Sequence, residues 1–165
     1  MTATPVEIAL ADPTLSPLEL ANLQLVLKFR QLPFSERKNY TVPGFAPQRI
    51  GMANLAELDH SGVPGYSAES IPDRQDDILD IIVRGGRVWA TWLIRGTHAG
   101  NIYGLAATGK PLEVLELGQW DVEDGLITRA WFFVDELGLL RQTGKLSAIA
   151  TADAASSPDS AKDRA

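Results

Sequence analysis

A carboxylate stands at the end of an aromatic stretch in the segment WFFVDELG. In a regular strand, Trp131, Phe133 and Asp135 share one face, so two aromatic rings would shield the carboxylate from water. Loss of water raises the pKa of an aspartate and suits it to proton transfer near neutral pH. Asp135 is therefore a candidate acid and base. It is also a candidate N-cap for a helix starting at Glu136, because aspartate is a preferred capping residue.

A second candidate is His98, in the segment GTHAG that follows a strand rich in aromatic residues. An imidazole there can hydrogen-bond a carbonyl group or orient an acid. The flanking Gly96 and Gly100 equally favour a bend in which His98 holds loop backbone in place. Both interpretations stay open.

Aromatic residues on the predicted strands can line a pocket for a flat hydrophobic molecule, although such rings also form ordinary protein cores. Trp92 and Trp131 are the main pocket candidates among the tryptophans, because regular alternation turns Trp89 and Trp120 to other faces. The candidate substrate-binding residues are Trp92, Trp131, Phe133, Tyr66 and Gln119.

We expect neither a metal nor a cofactor. The acidic residues Glu69, Asp73, Asp76, Asp77 and Asp80 have no calcium-loop spacing and are typical of a solvated turn. The glycines between residues 96 and 109 lack the pattern of a phosphate-binding loop. The chain contains no cysteine, which excludes disulfides, zinc–thiolate sites and thiol nucleophiles.

The composition of the chain indicates which kinds of molecule it does not favour as partners. The chain has 165 residues, of which 45% are hydrophobic and 22% charged, as in a single globular domain. Its formal net charge of -6 disfavours nucleic acid and anionic membrane surfaces. No apolar run approaches the roughly 20 residues of a membrane span, and residues 1–11 lack the basic start of a signal peptide. We therefore expect a cytoplasmic protein.

The predicted elements place helices first and a sheet second. Ser16 and Pro17 begin a helix that Pro33 ends, and a short helix is expected near residues 52–58. From Asp77 onward the pattern predicts four consecutive antiparallel strands and a last short helix ending at Gly144. We expect a flexible N-terminus (1–16), a single α+β domain (17–145) and a disordered C-terminal tail (146–165).

The fourth predicted strand, LITRAWFFVD, is largely apolar on both faces. Such a strand must be covered twice, yet the predicted helices are enough for one side of the sheet only. We therefore predict a homodimer through the outer face of the sheet, or a tetramer of such dimers.

From Ile71 onward the chain contains a series of segments in a characteristic order: IPD, RGGRVWATWLIRGTHAG, YGLAATGK, VEDGLI and WFFVDELGLLRQTG. This series resembles the SnoaL-like polyketide cyclases of the nuclear-transport-factor-2-like superfamily. The resemblance implies a cone-shaped α+β barrel, in which a curved antiparallel sheet wraps around N-terminal helices and encloses a pocket. It also implies pairing through the outer face of the sheet. The segment from Pro43 to Gly65 has no counterpart in the family pattern.

The resemblance implies a cofactor-free cyclase or isomerase, of the ester cyclase kind, that acts on a hydrophobic polyketide- or terpenoid-like molecule. The family's catalytic aspartate corresponds by motif position to Asp135. His98 is the residue that we expect to assist it, on the basis of its place in the segment GTHAG. An epoxide hydrolase of the same superfamily would need two carboxylates and an arginine, for which Asp121, Arg95 and Arg129 are available. A non-catalytic ligand carrier is the third alternative, because a fold does not determine function.

Overall fold

The structure, a computed structural model, describes residues 2–49, 69–102, 104–144 and 146. The helices are α1 (Pro5–Leu10), α2 (Pro17–Gln31), α3 (Phe34–Arg37) and α4 (Glu136–Thr143), with a 3-10 turn at Lys38–Tyr40. The strands are β1 (Gln48–Arg49), β2 (Gln75–Arg84), β3 (Arg87–Thr97), β4 (Pro111–Glu123) and β5 (Leu126–Val134). The helix predicted near residues 52–58 lies outside the described residues.

The described strands form one curved, unclosed sheet in the order β1-β5-β4-β3-β2. Strands β2 to β5 pair antiparallel with their neighbours, and the short β1 adds to β5 in parallel. The expected α+β class and the four-strand meander are confirmed. The sheet supplies a concave face on which α2 packs.

Helix α2 begins and ends where the sequence predicts. Ser16 and Glu19 form a reciprocal capping box, with the Ser16 Oγ accepting from the Glu19 N–H and Glu19 accepting from the Ser16 N–H. Glu19 also accepts from the Gly85 N–H at 2.8 Å, and Asn22 donates to the Gly85 carbonyl at 3.0 Å. These bonds attach the start of α2 to the β2–β3 turn. The turn needs glycine, because Gly85 has a φ of 56°.

The inner face of the sheet supplies most of the core. On β3 and β4 the buried residues alternate, and Val88, Ala90, Trp92, Ile94, Leu112, Val114 and Trp120 belong to one cluster. The buried Leu23, Val26 and Phe29 of α2 are spaced by three and belong to the same cluster. Residues before 17, predicted to be flexible, contain α1, which Thr4 caps and whose Val6 packs against the core.

A bulge in β5 changes the predicted assignment of residues to faces. Asp121 pairs with Arg129, but the next residue, Val122, pairs with Ile127, so Thr128 is an extra residue in the strand. Regular alternation would put Ile127 on the same face as Trp131, and the extra residue moves it to the opposite face. Ile127 is buried with Ala130 on the inner face, and the Thr128 hydroxyl donates to the Asp121 carbonyl.

Candidate functional site

A cavity of about 780 Å³ lies between the inner face of the sheet and the segment from α2 to β1. Much of its wall is apolar, which suits a hydrophobic molecule. The apolar lining includes Leu27, Phe29, Phe45, Ile78, Trp120 and Phe132.

Three aromatic rings support the floor of this cavity. The rings of Trp92 and Trp120 lie 5.9 Å apart, and Phe132 meets Trp120 edge to face at 5.4 Å. Gly118 makes this arrangement possible, because a Cβ there would stand 2.8 Å from atoms of both Trp92 and Phe132. Trp92, a predicted pocket residue, is fully buried in this cluster next to the cavity. Trp120, assigned to another face by the sequence argument, lines the cavity itself.

A buried carboxylate, Glu116, stands in the cavity wall. Its side chain is only 5% exposed, and Arg49 donates to it at 3.1 Å while Arg74 approaches to 3.8 Å. Burial raises the pKa of Glu116, and the neighbouring guanidinium groups oppose that effect without cancelling it. A carboxyl group with a raised pKa holds its proton more readily than an ordinary glutamate does, which suits it to proton transfer.

A second carboxylate, Asp76, is shared by two arginines on the same wall. Arg30 donates to Asp76 at 2.6 Å, and Arg74 donates to both of its oxygens at 2.7 and 2.9 Å. Arg30 also lies over the Trp92 ring, 3.5 Å from its centroid. Burial lowers the pKa of Arg30 to about 10, which leaves it charged at neutral pH. Asp76, Arg74 and Glu116 thus form a chain of carboxylate, guanidinium and carboxylate.

Sequence reasoning named Asp76 only as part of a solvated acidic turn and missed Arg30, Arg49, Arg74 and Glu116. The site residues come from α2, β1, β2, β4 and the residue just before β2. One signal was available. The inward positions of β4 carry Leu112, Val114, Glu116 and Trp120. Glu116 is therefore a charged residue in a buried series that is otherwise apolar. Arg49 gave no such signal, because it reaches the site through the parallel pairing of β1 with β5.

Asp135 lies away from this wall, at the junction of β5 and α4. Its carboxylate accepts from the Gly138 N–H at 2.8 Å and caps α4. The residue is exposed and does not line the cavity, which corrects the expectation that aromatic rings shield it from water. The capping interpretation has direct structural support, and the catalytic role of Asp135 stays a prediction.

His98 is fully buried in the loop between β3 and β4. Its Nδ1 lies 3.1 Å from the Thr108 hydroxyl, and its backbone exchanges hydrogen bonds with Lys110 and Gly109. Burial lowers the pKa of His98. These contacts support its loop-holding role, and His98 is not among the described residues that line the cavity.

Three of the predicted binding residues lie on the outer face of the sheet. Trp131 meets Trp89 edge to face at 5.1 Å, Phe133 is 48% exposed, and Gln119 donates to Asp121 at 2.9 Å. This corrects their expected orientation toward the pocket. Both faces of β5 are apolar, so composition could not tell which one meets α2. Tyr66 lies outside the described residues.

The residues considered for an epoxide hydrolase also lie on the outside. Asp121 accepts from Arg129 and Arg87, both at 2.8 Å, and these hydrogen bonds lower its pKa against the opposing effect of partial burial. Arg95 pairs with Asp77 and Glu113. Of the predicted acidic cluster, Asp73 accepts from the Thr97 N–H and hydroxyl. No group of described residues has the composition of a metal site.

Comparison with known proteins shows which protein family the chain resembles. Residues 66–143, a little under half of the chain, match the model of the SnoaL-like polyketide cyclase family. The resemblance to the SnoaL-like polyketide cyclases is confirmed. The family match supports a function of the cyclase or isomerase type, in a family that binds small hydrophobic molecules. No curated protein matches the chain significantly.

Solved structures show the same fold. A proposed SnoaL-like polyketide cyclase from Jannaschia sp. CCS1 is 17% identical, with a TM-score of 0.63 over 78% of this chain and 95% of that chain. A proposed polyketide cyclase from Acidithiobacillus ferrooxidans is 20% identical, with a TM-score of 0.57 over 76% and 95%. AclR, a proposed hydroxylase from Streptomyces galilaeus, is 20% identical, with a TM-score of 0.56 over 76% and 93%. The nuclear-transport-factor-2-like fold of the SnoaL proteins is thus established for this chain. Among the described helices, none is long and apolar enough to cross a bilayer.

Proposed function

We propose that this protein is a cofactor-free cyclase or isomerase of a hydrophobic small molecule, and that Glu116 is its acid and base. The observation that carries the proposal is a buried carboxylate with a raised pKa in the wall of a cavity that also has a large apolar surface. A titratable group that burial and specific charged partners perturb inside a cavity is a candidate functional residue. The family match supports the same reaction type.

The chemistry needs one proton acceptor and one group that stabilises an oxyanion. Glu116 takes a proton from a carbon next to a carbonyl group, and the electron pair of that C–H bond forms an enolate. The guanidinium groups of Arg49 and Arg74, both within 4 Å of Glu116, stabilise the negative oxygen. The enolate carbon then attacks a second carbonyl, and Glu116 returns its proton to the new alkoxide.

Asp135 provides the alternative acid and base within the same function. Its support is the motif position in FFVDELG, and it requires that a substrate reach the β5–α4 junction. The two assignments make opposite predictions for matched amide variants, because each amide preserves the shape of the carboxyl group but cannot accept a proton from carbon.

The test is deuterium exchange at the acidic methylene of an aromatic β-keto ester, followed by NMR after subtraction of the uncatalysed rate. Glu116→Gln should slow catalysed exchange by about 100-fold or more. The control is Glu113→Gln, which alters a largely exposed glutamate on the same strand and should leave the rate unchanged. A wild-type rate in folded Glu116→Gln, together with a loss in Asp135→Asn, would transfer the role to Asp135.

One observation favours a second candidate, opening of an epoxide by water. Asp76, Arg74 and Glu116 alternate as carboxylate, guanidinium and carboxylate along the cavity wall. In such a reaction one carboxylate accepts a proton from water as its oxygen attacks the epoxide carbon. The C–O bond breaks, and the other carboxyl group protonates the leaving oxygen. Incorporation of one oxygen from ¹⁸O-labelled water into the product would identify this reaction, whereas cyclisation incorporates none.

We also propose that the protein is a homodimer through the outer face of the sheet, or a tetramer of such dimers, located in the cytoplasm. The dimer has support from Trp89, Trp131 and Phe133, an aromatic group on the outer face in which Phe133 is 48% exposed. Light scattering at micromolar concentration should give at least twice the chain mass, and Trp131→Glu should shift the protein toward monomer. A wild-type monomer would contradict this arrangement.

A further inference from the structure

The walls of the cavity have the opposite charge to the protein as a whole. The described lining contains five cationic side chains and two carboxylates, in a chain whose net charge is -6. The cationic residues are Arg30, Arg37, Lys38, Arg49 and Arg74. A positive cavity in an acidic protein favours a ligand that carries negative charge.

Ion pairs within the wall do not remove this excess. Asp76 is paired with both Arg30 and Arg74, and Glu116 is paired with both Arg49 and Arg74. Three guanidinium groups therefore share two carboxylates. A proton on Glu116, which burial favours, would increase the positive excess further.

Arg49 is the member of this group best placed to contact a ligand. Its side chain is 29% exposed, and among the described residues it makes one hydrogen bond, from Nη1 to Glu116. A guanidinium group has five N–H donors in a planar fork that matches the two oxygens of a carboxylate. Its Cζ also lies 5.4 Å from the centroid of Phe132, so the charged end of the cavity adjoins the aromatic floor.

We infer that the substrate is an amphipathic anion: a hydrophobic ring system that carries a carboxylate, which Arg49 binds while Phe132 contacts the rings. This inference rests on the proposed function and specifies its substrate class. The apolar wall alone would accept neutral molecules equally well, whereas the cationic excess selects the charged one.

A matched pair of ligands, one charged and one neutral, tests the inferred preference for an anion. Calorimetric titration would compare 2-naphthoate with its methyl ester, which has the same rings and no charge. The acid should bind about 10-fold tighter or more, as expected for a charge-assisted bidentate contact. Sodium chloride should weaken binding of the acid and leave binding of the ester nearly unchanged.

Three variants test whether Arg49 is the residue that binds the carboxylate. Arg49→Gln should reduce the acid-to-ester ratio to about threefold or less, while Arg129→Gln, on the outer face, should preserve it. Arg49→Lys retains the charge without the fork and should give an intermediate ratio. Circular dichroism and thermal melting would establish that each variant is folded.

Three outcomes would overturn the inference: equal affinities for the two ligands, no binding of either, or a ratio that Arg49→Gln does not change. These failures can be told apart from failure of the proposed function. Deuterium exchange that depends on Glu116 would persist if only the anion preference were wrong, and tight binding of the acid would persist if only the chemistry were wrong.

Discussion

The two faces of the sheet carry similar kinds of side chain in different surroundings. On the inner face the Glu116 side chain is 5% exposed beside its arginines, whereas on the outer face Asp121 is 18% exposed and its partner Arg129 is 55% exposed. Burial raises the pKa of Glu116, while hydrogen bonds from arginine lower that of Asp121. Removal of water, rather than the mere presence of an ion pair, therefore distinguishes the candidate reactive carboxylate from a structural one.

The largest expected effect on stability concerns the tryptophans of the two faces. Trp120→Ala removes a fully buried ring and should lower the free energy of unfolding by about 3–5 kcal/mol. Trp89→Ala removes a half-buried ring and should cost clearly less at matched oligomeric state. Urea denaturation, with light scattering as the control, measures both. Equal losses would contradict the distinction between an inner core and an outer surface.

Replacing an arginine on either face should lower the free energy of unfolding by less than the loss of Trp120 does. Arg30→Met removes a nearly buried cation from Asp76 and from the Trp92 ring, and should cost about 2 kcal/mol because Arg74 still pairs with Asp76. Arg129→Met, on the outer face, should cost at most about 1 kcal/mol. The comparison uses unfolding free energies at pH 7. A larger loss of unfolding free energy in Arg129→Met than in Arg30→Met would contradict the conclusion that the buried pair, Arg30 with Asp76, is the more stabilising of the two.

The dependence of stability on pH sharpens the comparison further. The folded state raises the pKa of Glu116 above its ordinary value of 4.5, so the folded protein binds this proton more tightly than the unfolded chain does. The stability contributed by Glu116 is therefore present below pH 4.5 and is lost as pH rises through the folded pKa. We expect Glu116→Gln to be at least as stable as wild type at pH 7.

The measurement is the unfolding free energy of both proteins between pH 4 and pH 7. The difference between variant and wild type should move in favour of the variant by up to about 1.4 kcal/mol per pH unit within the titration window. A difference that moves toward the wild type with rising pH would mean that the arginines outweigh burial. In that case Glu116 would be an ordinary ion-paired carboxylate.

The smallest stability effect is expected at the α4 cap. Asn caps a helix almost as well as Asp, so Asp135→Asn should change the unfolding free energy by only a few tenths of a kcal/mol. Asp135→Ala should cost about 1 kcal/mol, because the Gly138 N–H loses its acceptor. Thermal melting of the two variants separates these values. Asp135→Asn also tests the alternative mechanism, which requires a drop of about 100-fold in deuterium exchange.

Local patterns in the sequence were sufficient to predict much of the fold. Ser16 as a cap and Pro17 in the first turn predicted the start of α2, Pro33 predicted its end, and alternating residues with turn glycines predicted strands β2 to β5. The side of β5 that faces α2 could not be predicted, because both sides are apolar and a bulge at Thr128 shifts the alternation. The charged wall was missed because it joins elements far apart in sequence, which only tertiary pairing brings together.

The central claim is that Glu116 holds its proton more tightly than an ordinary glutamate. Carbon-13 NMR of protein labelled at glutamate carboxyl carbons, followed across pH and assigned by comparison with Glu116→Gln, measures this directly. The account predicts one carboxyl signal that titrates clearly above 4.5 and is missing from the variant. A Glu116 signal that titrates at or below 4.5 would contradict the account and leave Asp135 as the remaining candidate.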